Sequence, residues 1–287
     1  MTAFASPAVS PERADATDFS VAEFCDLVDR EFDRARLSSF WSLETAFERL
    51  VNSAAAARAL NTELHKLVRN PSYMGDWRPN QLLLHRGRGF ALSIWLFEQS
   101  RQYAHTMPFY GMYAPMSSQA LSYTRYELPE DYRNEVFDPR VRIQPLGPGS
   151  VAPGQVLKLE GDRYVYDFHI DKPVPVFKLT TAPFHSMEWL FNKNTGYAWQ
   201  ANDSELTATQ LRVAAYILGK LADPSSVEPL SQLTRHAHHS VRWAAIQGLG
   251  RISRSAAIGK LEQATLDPHP HIQRAADKML QQIRNKS

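Results

Sequence analysis

The strongest constraint in this sequence is an internal repeat near its C-terminal end. Laying Leu211-Arg-Val-Ala-Ala-Tyr-Ile-Leu-Gly over Val241-Arg-Trp-Ala-Ala-Ile-Gln-Gly-Leu-Gly and Ile272-Gln-Arg-Ala-Ala gives offsets of 30 and 31 residues. Between these segments, Val227 and Leu230 recur as Ile258 and Leu261. Each unit therefore reads as a helix pair, with alanines where successive first helices stack closely. About two and a half units are present, whereas stacked repeats need about three to bury a continuous core. The array has to lean on the rest of the chain, on a second copy, or on a partner protein.

On those three aligned helices, residues 205–287 resemble HEAT-like repeats, which implies a protein partner or self-association through this segment. The same segment carries 11 Lys/Arg against 6 Asp/Glu, while residues 1–204 carry 21 against 24. This mild basicity suits an acidic partner but lacks the dense cationic stripe of a nucleic-acid binder, so nucleic acid is not expected. No run approaches the roughly 20 apolar residues of a membrane span, and residues 1–16 lack a basic start followed by an apolar core. No membrane association and a cytoplasmic location are the expectations. The single cysteine, Cys25, falls in an apolar helical register and excludes both an internal disulfide and a thiolate metal cage.

Upstream of the repeats the sequence changes character twice. Residues 1–17, rich in Ala, Ser and Pro, are expected to be disordered. Residues 18–79 form a helical segment: Ser20 and Glu23 have capping-box spacing ahead of Phe24, Leu27, Val28 and Phe32, predicting a helix to about Ala35. Ser42 is expected to cap a second, with Leu43, Phe47, Leu50, Val51 and Ala54 as its stripe and Asn70-Pro71 as its end. In residues 80–204 short apolar or alternating runs are separated by Pro, Gly and Asn, which predicts strands. Eight are expected, at 81–85, 90–97, 120–127, 141–144, 155–159, 163–170, 174–181 and 186–191, suggesting a small barrel or jelly roll. The segment Pro145-Leu-Gly-Pro-Gly-Ser150 reads as a turn-rich connector, without the lysine and following helix of a phosphate loop.

Candidate chemistry centres on histidines. Tyr164 to Ile170 alternates, so Tyr164, Tyr166 and Phe168 share one strand face while Val165, Asp167 and His169 share the other. Asp167 and His169 then read either as half of a two-His-one-carboxylate iron site or as a hydrogen-bonded pair with no metal. The remaining ligand would come from His85, His105, His185 or Glu188, with His105 the strongest because it follows an apolar strand and precedes Pro108, Tyr110 and Gly111. The five histidines of the C-terminal part, His236, His238, His239, His269 and His271, read as solvated turn residues ahead of helices starting near Val241 and Ile272, or else as groups for a metal or an acidic partner. No Gly-x-Ser-x-Gly elbow, phosphate loop or dinucleotide fingerprint is present.

With His105 in the first motif position and His169 in the second, after turns at Pro153-Gly154 and Gly161-Asp162, the segment from Leu82 to about Ala201 resembles the cupin family. Within that family it is similar to the cysteine-dioxygenase-type branch. Where that family presents His-x-His, this chain reads His105-Thr106-Met107. The resemblance implies a mononuclear non-heme Fe(II) oxygenase or dioxygenase acting on a small polar molecule such as an amino acid or thiol. His105 and His169 would be ligands, with Asp167 or His185 completing the set. Tyr110, Arg125 and Tyr166, with Tyr103 and Tyr123 beside them, would line the pocket, Arg125 being suited to a substrate carboxylate. The alternative is a barrel without catalysis whose repeats recruit a partner. The expected fold is an α+β multidomain chain: N-terminal helices, a cupin-type double-stranded β-helix, and C-terminal α-helical HEAT-like repeats.

Overall fold

The computed structural model describes residues 19–285, so the segment expected to be disordered, 1–17, lies outside the described residues. The first helix, α1 (Val21–Glu31), opens on the capping box: the Ser20 hydroxyl accepts from the Glu23 amide while the Glu23 carboxylate accepts from the Ser20 amide. The single second helix expected from Ser42 is instead three pieces, a 3-10 segment (Leu37–Leu43), α2 (Glu44–Val51) and α3 (Ala55–Arg69). Asn52 and Ser53 cause the break. Asn52 Nδ2 reaches the Glu48 and Gly154 carbonyls, and Ser53 Oγ accepts from the Ala55 amide, so polar side chains compete for the backbone groups a continuous helix would use.

Twelve strands follow: β1 (Trp77–Arg78), β2 (Gln81–Arg86), β3 (Phe90–Phe97), β4 (Ala104–His105), β5 (Tyr110–Pro115), β6 (Leu121–Glu127), β7 (Gln144–Val151), β8 (Leu157–Glu160), β9 (Tyr164–His169), β10 (Val174–Thr181), β11 (Met187–Phe191) and β12 (Ala198–Asp203). All pairings are antiparallel, in the orders β1-β2-β3-β10-β5-β8, β7-β6-β9 and β12-β11-β4, with β4 lying against β9. The nested matches β3 with β10, β4 with β9, β5 with β8 and β6 with β7 are those of an eight-stranded jelly roll, the double-stranded β-helix expected from the sequence.

One predicted connector is a strand. Pro145 to Ser150 belongs to β7, which pairs with β6 at the edge of its sheet. Prolines 145 and 148 are tolerated because an edge strand leaves one row of amides unpaired. Gly147, at φ +117°, absorbs the register shift opposite Arg125 and Tyr126.

Alternation divides the β10 residues between two cores. Phe177 and Leu179 pack outward with Leu92, Ile94, Met112 and Ala114 against the N-terminal helices, where Phe47 meets Phe177. Val174 and Val176 point inward and share the barrel interior with Tyr113, Leu121, Leu159 and Tyr166. A third cluster, centred on Trp189, joins β11 to the loop between β6 and β7.

The C-terminal helices are α4 (Leu206–Leu221), α5 (Val227–Leu233), α6 (His239–Ile252), α7 (Arg254–Ala264) and α8 (Pro270–Arg284). Among the described residues, no helix is long and apolar enough to cross a membrane. The array does lean on the barrel. Asp203, ending β12, accepts from Ser240 Oγ at 2.8 Å and from Arg212 Nε at 3.0 Å.

Two histidines expected to be solvated are buried at this junction. His238 and His269, 7% and 6% exposed, are the N-caps of α6 and α8, and their rings accept from the Ser240 and His271 amides. Their Nε2 atoms meet the Ser186 and Glu135 carbonyls of the barrel. One ring nitrogen accepts from a helix amide and the other faces a barrel carbonyl, so each imidazole ties a helix start to the barrel. His239 stacks on His269 with centroids 3.9 Å apart, and burial, followed by the neighbouring imidazoles, lowers its pKa to about 4.

The sign of the pH dependence follows. Between about pH 6.5 and pH 4 the unfolded chain takes up a proton at His239 that the folded chain refuses, so stability falls with falling pH across that window. The full difference is on the order of 3 kcal/mol. Thermal melts from pH 7.5 to 4.5 should show this loss, and His239→Gln should flatten it. An unchanged slope in the variant would remove His239 as its source.

Candidate functional site

The barrel interior opens through a mouth between β3, β4 and β10 into a cavity of about 230 Å3. Alternation along β10 puts Lys178 on the inner face with Val174 and Val176, flanked in register by Ser93 of β3 and Tyr113 of β5. The lysine is 6% exposed, and its Nζ lies 3.5 Å from the Trp95 ring centroid, 4.6 Å from Tyr113 and 5.9 Å from Phe97. Burial, and then the charge of Arg101, hold its amine well below the ordinary lysine value. Stacking on aromatic faces returns about 2 kcal/mol to the charged form when desolvated. Removing an ammonium from water costs several kcal/mol, so desolvation wins and the balance moves toward the neutral amine relative to a lysine in water.

At the mouth, His105 of β4 turns into the cavity and its Nδ1 sits 2.9 Å from Glu188 Oε1 of β11. Antiparallel pairing sets this contact, because Leu190 of β11 is in register with His105. Arg101 Nη1 lies 3.6 Å from the same carboxylate oxygen, with the guanidinium side chain 55% exposed at the rim. Tyr103, Tyr166 and Phe168 complete the walls, and the Tyr166 hydroxyl donates to the Lys158 carbonyl at 3.2 Å.

The residues singled out from the sequence are placed as follows. Asp167 and His169 do share a strand face, the one on which Val165 packs with Trp189 and Ile143, whereas Tyr166 belongs to the interior; Asp167 still borders the cavity at its edge. Asp167 is buried in an ion pair with Lys193 Nζ at 2.6 Å, and His169 is exposed with Nε2 2.8 Å from Thr124 Oγ1. His185 lines a separate cleft between barrel and repeats, near Glu135, where burial lowers its pKa. His105, His169, Asp167 and His185 are thus not brought together. Among the described residues, no three His, Cys, Asp or Glu side chains converge as metal ligands. Glu98 and Asp167 border the cavity beside His105, but Asp167 is held by Lys193 and these groups do not converge, so the donor set does not fit the facial triad of an iron site.

Of the pocket residues, Tyr166 lines the cavity and Tyr123 packs in the interior core. Tyr110 faces the other way, its ring against Trp41 and Phe184 and its hydroxyl donating to Asp162 at 2.7 Å. Arg125 is exposed, its guanidinium 4.8 Å from the Tyr164 ring centroid. Lys178 and Arg101 escaped the sequence reading. Lys178 had a signal: it is the one charged residue in the strand run Val174-Pro-Val-Phe-Lys-Leu-Thr-Thr181 and shares the alternating face of Val174 and Val176.

Comparison with known proteins gives three findings. Residues 202–286 match the family described as HEAT repeats, and the helical array is of that kind. No curated protein sequence matches. Among solved structures, the chain is similar to hydroquinone 1,2-dioxygenase PnpCD, crystallised with Cd2+ and 4-hydroxybenzonitrile: 13% identity, 38% of this chain and 69% of that chain covered, TM-score 0.30. It is similar to a cupin-superfamily sugar phosphate isomerase from Silicibacter pomeroyi at 13% identity, covering 46% and 84%, with TM-score 0.24. A third is the DMSP lyase DddQ from Ruegeria pomeroyi, at 11% identity, 41% and 54% coverage and TM-score 0.26. The jelly-roll assignment stands on the strand pairing itself.

Proposed function

We propose that this chain is a small-molecule enzyme whose active site is the barrel mouth, with Arg101 holding a small organic anion and the His105–Glu188 pair moving protons. The observation that carries this reading is the 2.9 Å contact between His105 and Glu188 at the opening of a cavity with aromatic walls and cationic groups. A carboxylate beside an imidazole fixes the orientation of the ring, which suits a general acid–base pair. Arg101 spends part of its charge on Glu188 at 3.6 Å and retains donors for a ligand carboxylate. Iron-dependent oxygen chemistry on an amino acid or thiol, which the cupin resemblance implies, would need three donors to converge, and among the described residues no three do. The acid–base reading uses His105 and Glu188 as they stand.

Ligand-observed NMR with pyruvate, benzoate and acetate tests the proposal. At least one should bind with a millimolar or tighter Kd, and Arg101→Ala should weaken it about tenfold, the order of one charge-assisted contact. Binding that Arg101→Ala leaves unchanged, or none at all, would overturn the assignment of the mouth.

A second reading concerns the repeats. Their surface has a groove of about 600 Å3 lined by Arg212, Tyr216, Trp243, Arg251 and Ile272, and α4 leaves Val213, Ile217 and Leu221 exposed beside it. A basic and aromatic groove of this kind supports recruitment of a protein partner by the repeats, independently of what the barrel does.

A further inference from the structure

We infer that Lys178 is an imine-forming nucleophile and that the barrel takes a small aldehyde or ketone bearing a carboxylate. The inference rests on the reading of the mouth as a small-molecule site and names the substrate class. A lysine is rarely buried unless paired. Here, among the described residues, no carboxylate pairs with Lys178, and its surroundings are the rings of Trp95, Tyr113 and Phe97. Its side chain faces a cavity that also receives Arg101 and His105, so amine, anion-binding group and proton carrier open on one space. Burial lowers the amine's pKa, the direction that activates nucleophilic lysines. The other titratable groups lining this space are Glu98, Tyr103, Tyr113, Tyr166 and Asp167, with Glu188 reaching it through His105; burial raises the phenol pKa of Tyr113 and Tyr166, and Asp167 is engaged by Lys193.

The step balances without an oxidant or reductant. The Nζ lone pair attacks the carbonyl carbon, a C–N bond forms, and the C=O π pair moves to oxygen, which takes up a proton while nitrogen gives one up. A second proton delivered to that hydroxyl lets it leave as water while the nitrogen lone pair closes the C=N bond as a protonated iminium, and nitrogen then returns that proton to the group that delivered it. One amine and one carbonyl become one imine and one water. The His105–Glu188 pair supplies a group able to give and receive those protons, and Arg101 suits the substrate carboxylate.

Reductive trapping tests this on the full chain: pyruvate and cyanoborohydride at pH 7, followed by intact mass and peptide mapping. Lys178 should be labelled at least about tenfold faster than any surface lysine, as expected when its free-amine fraction is far larger. Label should vanish from this position in Lys178→Met. Between pH 7 and 9 its rate should rise less steeply than that of surface lysines, which speed up about tenfold per pH unit. That profile is read on the unaltered chain and serves if Lys178→Met does not fold. Label spread evenly over surface lysines, or a Lys178 rate that climbs with pH as theirs does, would overturn the inference.

The two readings fail separately. Arg101-dependent pyruvate binding without trapping removes the nucleophile and keeps the anion site. Trapping of propanal at Lys178 without pyruvate binding keeps the nucleophile and removes the anion site, and with it the carboxylate in the proposed substrate.

Discussion

Trp189→Ala is expected to cost about 3–5 kcal/mol, the range for deleting a fully buried aromatic side chain. For a chain of this size that is roughly a 10 °C fall in Tm. Trp189 is 0% exposed, with Tyr132 and Phe137 each 4.9 Å away by ring centroids, and its indole N–H donates to the Asn134 carbonyl at 2.7 Å. The truncation would leave a cavity and orphan that carbonyl together. Its reach extends further, because the Trp189 backbone exchanges hydrogen bonds with Thr106, next to His105, and Trp189 itself follows Glu188. The loop it anchors also carries Glu135, whose carbonyl meets His269 of the repeats. Trp189→Phe, which keeps most of the volume and loses only the N–H, should retain more than half of the lost stability. Thermal or denaturant unfolding of both variants checks this, and a Tm for Trp189→Ala within about 2 °C of the parent would contradict the central role given to this side chain.

How far the sequence specified this fold depended on whether the interactions involved were local. The repeat was legible because helix stacking repeats the same local demand, small residues at the contact and branched ones behind it, every 30 or so residues. The capping box at Ser20 and Glu23 was legible because both bonds form within one turn. Pro145 to Ser150 was misread because proline and glycine signal a turn unless the strand lies at a sheet edge, which is decided by distant partners. The same limit governed the site. Alternation correctly placed Asp167 and His169 together, yet nothing within a single strand says which face turns inward. That is set by β6 on one side and by the Trp189 cluster on the other. His105 was recognised as a mouth residue from its flanking strands, while its pairing with Glu188 spans 83 residues of chain. Lys178 was the opposite case: a charge in an apolar strand was visible, and only the barrel shows that it faces a cavity.

Gly248→Val should separate α4 from α6 and lower stability by about 3 kcal/mol, at the upper end of what overpacking costs in a well-packed contact. A Cβ on Gly248 would lie 2.8 Å from the Ala215 carbonyl oxygen, and a Cβ on Gly219 would lie 2.7 Å from the Gly248 Cα. Both obstacles are backbone, so relief requires the helices themselves to move apart. Replacing a helical glycine gains up to about 1 kcal/mol in intrinsic propensity. That gain is the smaller quantity here, and even Gly248→Ala should come out destabilising. Gly259 in α7 supplies the contrast: a Cβ there meets nothing within 4 Å, so Gly259→Ala should stabilise by about 1 kcal/mol. Opposite signs in these two variants, read by urea unfolding, would show that the small residues of the repeat are held there by helix contact. If Gly248→Ala stabilised as Gly259→Ala does, α4 and α6 would not be in that close contact in solution, and the groove beside Tyr216 and Trp243 would lose the frame that defines it.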